Sequence, residues 1–106
     1  MIVRRSTFSW LGGFLLLILV VSGCLSRPPI RVGFVGELSG RESDLGIAER
    51  NGLLLAVDEI NGAGGIDGQM VEVIIKDDQG LPEVARQVDR ELIDAGVVAI
   101  VGHVTT

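Results

Sequence analysis

Beyond a long apolar run near its start, the chain alternates between short β-branched blocks and longer stretches with helical spacing. Ile30 to Val35 is a β-branched and aromatic run that stops at Gly36, so it reads as a first strand. Gly36 to Asp44 (GELSGRESD) is a loop of turn residues. A helix is expected from Leu45 to Asn61, where Leu53, Ala56, Val57 and Ile60 recur at i, i+3, i+4 and i+7 and share one face. Asp44 is its expected N-cap, and Asn61-Gly62 with Gly64-Gly65 its expected end, through residues that tolerate positive φ. Gln69 to Lys76 follows as the second strand. Val71, Val73 and Ile75 alternate there with Glu72, Ile74 and Lys76, and Ile74 makes both faces partly apolar, as a buried parallel strand requires. Asp77-Asp78-Gln79-Gly80 is a turn. Pro82 and Glu83 suit the first turn of a second helix, with Val84, Ala85, Val88, Leu92 and Ala95 as its apolar stripe and Gly96 at its C′ position. Val97 to Val101 is a third strand, and Gly102 to Thr106 opens the next loop.

The order β-α-β-α-β predicts an α/β fold with a parallel sheet covered on both faces. With right-handed crossovers and the first strand central, the sheet order is 2-1-3 and the two helices lie on opposite faces. Ligands of open α/β sheets bind outside the carboxyl ends of the strands, where the strand order reverses. That point lies between strands one and three, at the loops Gly36 to Leu45 and Gly102 to Thr106. Both are rich in glycine and hydroxyl residues, so backbone amides and side-chain oxygens can approach a small polar ligand. A nucleotide is disfavoured as that ligand. Gly33, Gly36 and Gly40 are spaced G-x-x-G-x-x-x-G, not G-x-G-x-x-G, and no Gly-Lys-Ser/Thr sequence is present.

The apolar run at the start changes where this fold is expected to work. Arg4 and Arg5 precede an uncharged stretch from Phe8 to Val21, followed by Ser22, Gly23 and the single cysteine, Cys24. This is the layout of a secretory signal over residues 1–23, short for a membrane span of about 20 apolar residues. Cys24 directly after the small pair resembles the bacterial lipobox, in which the thiol is acylated and becomes the first residue of the mature protein. A plain signal peptide with a bystander cysteine and a signal anchor are the alternatives. Lipid at Cys24 predicts a body held outside the cytoplasmic membrane on a short tether, residues 24–29 with Pro28-Pro29, and stable anchoring takes more than one acyl chain. All fourteen acidic residues but only seven of the nine basic ones follow Cys24, so the exported part is near −7, more acidic than the whole at −5. That balance argues against nucleic acid as a partner. One cysteine allows no internal disulfide, and one histidine with no paired ligands gives no metal-binding spacing. No cofactor is expected.

Several stretches carry a family resemblance. They are Ile30-Arg31-Val32-Gly33-Phe34-Val35-Gly36-Glu37-Leu38-Ser39-Gly40, Asn51-Gly52 with Ala56-Val57-Asp58-Glu59-Ile60-Asn61, Gly64-Gly65-Ile66-Asp67-Gly68, and Val71 to Pro82 with its Asp77-Asp78. Together they resemble the start of ABC-transporter substrate-binding proteins of the branched-chain amino acid type, with the periplasmic binding protein type I fold. The resemblance runs over residues 30–106, and the Gly-Gly-Ile-x-Gly turn before a strand ending in Asp-Asp is its most specific part. It implies a two-lobed, non-enzymatic receptor that closes on an amino acid, or a similar amide or urea, and passes it to a membrane permease. It also implies that the chain stops inside the first lobe, as part of a longer product or a broken gene, with strand edges meant for missing partners. Hydroxyl and backbone groups just past the third strand hold the ligand in the family, which points to Thr105 and Thr106. An aromatic side chain often precedes the glycine that opens the first helix; here Leu45 precedes Gly46 and is the candidate for lining an apolar pocket.

Other side chains are weighed residue by residue. Ser39 is a candidate ligand contact, with a turn hydrogen bond to nearby backbone as the competing role. Asp77 and Asp78 diverge at a strand end, which favours turn and capping roles over acid–base catalysis. His103 has no cysteine or carboxylate partner close in sequence and reads as structural or solvated. Glu37 reads as a solvated loop charge. No nucleophile–base pair supports an enzyme. A sensory ligand-binding domain is the alternative to transport, since the fold alone does not settle use; a later membrane span joined to a cytoplasmic domain would mark it.

Overall fold

The computed structural model describes residues 27–103. The signal-peptide reading of residues 1–23, Cys24, and the candidates Thr105 and Thr106 therefore lie outside the described residues. Three strands and two helices follow the expected order: β1 (Ile30–Gly36), α1 (Ser43–Gly62), β2 (Val71–Asp77), α2 (Pro82–Asp94) and β3 (Ala99–Val101). All pairings are parallel and the sheet order is β2-β1-β3, the order expected with the first strand central. β1 pairs along its whole length with β2, from Ile30 opposite Val71 to Gly36 opposite Asp77. It pairs more briefly with β3, from Val32 opposite Ala99 to Phe34 opposite Val101.

Strand alternation divides β1 between the two helices. Val35 faces α2 and forms a core with Val88 and Leu92, ringed by Ile74, Val84, Val97 and Ile100. Phe34 faces the opposite side, its ring beside Gly36, with Gly46 of α1 close by. Phe34, Val35 and Leu92 are wholly buried. The stripe on α2 is the expected one, with Ala85, Val88 and Leu92 buried. The expected face of α1 is covered less completely: Leu53 and Val57 are half-buried, while Ala56 and Ile60 stay exposed. α1 packs on β1 and β2, and so short a sheet cannot cover a helix of 20 residues.

Boundaries differ from the sequence reading in three informative places. α1 begins at Ser43 with Glu42 in the cap position, so Asp44 lies in the first turn and favours the helix through its charge rather than as the N-cap. At the other end Asn61 and Gly62 remain helical, and the positive φ values fall at Gly64 (101°) and Gly65 (79°). Asn61 instead uses its side chain on β2, accepting from the Val71 amide (2.8 Å) and donating to the Val71 carbonyl (2.9 Å). Between them Ile66 and Gln69 exchange two backbone hydrogen bonds of 2.8 and 2.9 Å. Asp67 and Gly68 take positive φ (49° and 78°), as a two-residue type I′ turn demands. Gln69 is consumed by this hairpin, which is why β2 starts only at Val71.

Candidate functional site

The strand order reverses between β1 and β3, so the candidate site is the rim at the carboxyl ends of the strands. Described residues there are the β1–α1 loop (37–42), the β2–α2 turn (78–81) and the β3 exit (102–103). The rim is built from carboxylates that hold loop backbone.

Asp77, the last residue of β2, reaches across to the β1–α1 loop. Its Oδ1 accepts from the amides of Leu38 (2.9 Å), Gln79 (2.9 Å) and Ser39 (3.4 Å), and its Oδ2 accepts from the Ser39 hydroxyl. Burial pushes the Asp77 pKa up, but the hydrogen bonds from the Ser39 hydroxyl and from the Leu38, Gln79 and Ser39 amides together outweigh it and hold the group below its ordinary value. Ser39 thus spends its proton on Asp77 and keeps only acceptor capacity for a solute.

Asp78 points the other way. It is 3% exposed, accepts from the Gly80 amide (2.9 Å), and through Oδ2 meets His103 Nδ1 (3.1 Å). The other ring nitrogen of His103 meets both oxygens of Asp89 on α2, at 3.1 and 3.2 Å. His103 therefore has two carboxylate partners, although neither lies close to it in sequence. They stand 25 and 14 residues away in sequence, and only the fold brings them together. One signal was available: Asp89 follows Ala85 by one helical turn, so an acid adjoins the apolar stripe of α2.

Glu37 also departs from its expected role as a solvated charge. It is 7% exposed, and its Oε1 accepts from the Glu42 amide (3.0 Å) where α1 begins. A side chain on Gly80 would come within 2.7 Å of Glu37 Oε2, so the β1–α1 loop and the β2–α2 turn approach closely there. Gly46 completes the junction: it is buried, and a Cβ on it would overlap the Glu37 carbonyl. Leu45, beside it, is exposed in the first turn of α1 at this same end of the sheet. No group of three or more His, Cys, Asp or Glu side chains among the described residues is arranged to hold a metal ion, and no helix among them is long and apolar enough to cross a membrane.

A parallel 2-1-3 sheet with a hydrogen-bonded rim at its switch point is the arrangement of an open α/β fold of the ligand-binding kind. Residues 29–106 match the family described as periplasmic binding protein, and the chain belongs to that family. It is 36% identical over 80 residues to a leucine-, isoleucine-, valine-, threonine- and alanine-binding protein of Pseudomonas aeruginosa, an alignment covering 76% of this chain and 21% of that protein. Among solved structures it resembles the branched-chain amino acid transporter substrate-binding protein of Streptococcus pneumoniae in complex with isoleucine. The TM-score is 0.69 at 45% identity, over 71% of this chain and 22% of that one. A fatty acid ABC transporter substrate-binding protein from Thermomonospora curvata also matches, with TM-score 0.65 at 27% identity, over 69% of this chain and 18% of that one. The chain thus spans about a fifth of the length of these relatives.

Proposed function

We propose that this chain forms part of the extracytoplasmic solute-binding component of an ABC importer, a non-enzymatic receptor that takes up an aliphatic amino acid and delivers it to a membrane permease. The observation that carries this reading is the 45% identity to a relative solved with isoleucine, over the segment whose rim lies at the switch point. The hydroxyl groups of Thr105 and Thr106, two and three residues beyond His103, are the proposed holders of the solute's charged groups. Ser39 offers an acceptor to its ammonium, and Leu45 an apolar wall. Acylation of Cys24 is the proposed tether to the membrane, supported by Arg4-Arg5, the apolar run and Ser22-Gly23.

The test is calorimetric titration of the product of the full reading frame with isoleucine, leucine, valine, a simple amide and urea. Isoleucine or one of its aliphatic neighbours is expected to bind. Thr106→Ala is expected to weaken that binding by about 1–3 kcal/mol, the cost of leaving a desolvated charged group without its partner. Equal affinity in Thr106→Ala removes Thr106 from the site. Failure of every solute to bind refutes the receptor reading.

A further inference from the structure

The contacts of His103 favour a charged ring. A neutral imidazole carries one N–H, so its second nitrogen is an acceptor and would face a carboxylate oxygen with no proton between them. Here both nitrogens face carboxylates, Nδ1 at 3.1 Å from Asp78 and Nε2 at 3.1 Å from Asp89. With both acids ionised, only the imidazolium satisfies both contacts. The site is also sheltered, with the His103 side chain 22% exposed and that of Asp78 4%. Gly102, just before His103, lies close against β1, where a Cβ on it would overlap the Val35 carbonyl. The ring thus ties the β3 exit to the β2–α2 turn through Asp78 and to the middle of α2 through Asp89.

We propose that His103 is a positioning residue: as an imidazolium held between Asp78 and Asp89 it fixes the exit of β3 at the solute-binding rim, and solute affinity falls when the ring loses its proton. This rests on the receptor reading above and adds to it a pH dependence of the same site.

The charges acting on His103 come from two elements. Asp78 in the β2–α2 turn raises its pKa most; burial pulls the other way, and the hydrogen bond to Asp89 and the charges of both acids add to the rise. Other charged groups on the neighbouring elements are engaged elsewhere. Glu91 of α2 pairs with Lys76 of β2, Arg86 pairs with Glu83, and Arg90 is exposed. Arg31 of β1 turns to Glu72 and the Ala95 carbonyl, and Glu37 is bound to the Glu42 amide. Because the folded pKa lies above the unfolded value of 6.5, the stabilisation is fully present below that value and is lost as pH rises through the folded pKa.

The experiment uses the product of the full reading frame, with isoleucine as probe. Long-range nitrogen–proton NMR of the histidine ring is expected to show both nitrogens protonated at about pH 6.5, with a midpoint above that of a free imidazole. Isoleucine affinity is expected to weaken by roughly threefold or more as pH rises through the midpoint that the ring shows by NMR, as one proton is lost from the clamp. His103→Asn is expected to flatten that profile, and Asp89→Asn to move its midpoint down. A neutral ring at pH 6.5, or an affinity profile identical in wild type and His103→Asn, overturns the proposal while leaving the receptor reading intact. Absence of isoleucine binding by the wild type at every pH overturns both.

Discussion

Replacing Asp77 with alanine removes one carboxylate that holds two loops. Four hydrogen bonds converge on it, from Leu38, Gln79, the Ser39 amide and the Ser39 hydroxyl. A buried hydrogen bond to a charged group contributes about 1.5–3 kcal/mol. Ser39 and Gln79 are exposed, so water replaces much of what they lose and each bond is discounted to about 0.5 kcal/mol. The Leu38 amide is half-buried and retains about 1 kcal/mol. Asp77→Ala should therefore cost about 2.5 kcal/mol. Asp77→Asn should cost about 1, because its carbonyl oxygen stays with Leu38 and Gln79 while the Ser39 hydroxyl turns to accept from the new amide. The pH dependence has a definite sign. The folded pKa is depressed, so the contribution is present above the unfolded value and is lost as pH falls through the folded one. Urea unfolding of the full reading-frame product, from about pH 7 down to pH 3, should show wild type and Asp77→Ala converging in acid. Amide exchange at Leu38 should accelerate in the variant at neutral pH. Unchanged midpoints at neutral pH with unchanged Leu38 exchange would refute the stapling role, as would a gap that persists undiminished into acid.

Three further outcomes are expected. Gly46→Ala should destabilise by about 1–3 kcal/mol in a urea melt, because the overlap with the Glu37 carbonyl exceeds the helix-propensity gain of about 1 kcal/mol. Gly52→Ala, in the same helix with open space around it, should show that gain alone, and a stabilising Gly46→Ala would contradict the close approach. Asn61→Ala should cost about 2 kcal/mol, less about 0.5 for propensity, with faster exchange of the buried Val71 amide; unchanged exchange would show the pairing to be dispensable. Mass spectrometry of membrane-extracted protein should find a diacylglyceryl cysteine at its mature N-terminus, lost with tight membrane association in Cys24→Ser. Processing elsewhere with a free thiol would rule out the tether.

Elements governed by periodic burial were legible in the sequence. The stripe Val84, Ala85, Val88, Leu92 marked α2 because a helix against a sheet must repeat its apolar contacts every turn, and Leu92 is wholly buried. The strand order followed once the first strand was taken as central, and crossovers of fixed hand then put the two helices on opposite faces. Interactions that occur once, between a side chain and a distant loop, leave no period to read. Asn61 looked like a residue for ending a helix, whereas its amide serves the start of β2. Glu37 looked like a loop charge because loops are usually wet, yet the close approach of the two loops buries it. The carboxylates of His103 come from a turn and a helix, and no spacing predicts that both would face one ring.

Asp77 and Asp78 show what the sequence argument contained and what it lacked. Adjacent residues at a strand end project to opposite faces, so the pair cannot converge on one reacting atom. The same alternation sends Asp77 to the β1–α1 loop and Asp78 to the β3 exit. Two neighbouring carboxylates, one ending β2 and one opening the β2–α2 turn, thereby set both the β1–α1 loop and the β3 exit, and the rim at the switch point inherits its shape from them. The two staples respond to pH in opposite directions. The Asp77 staple is lost in acid and the His103–Asp78 staple in base, so the rim is held at both ends only between those limits.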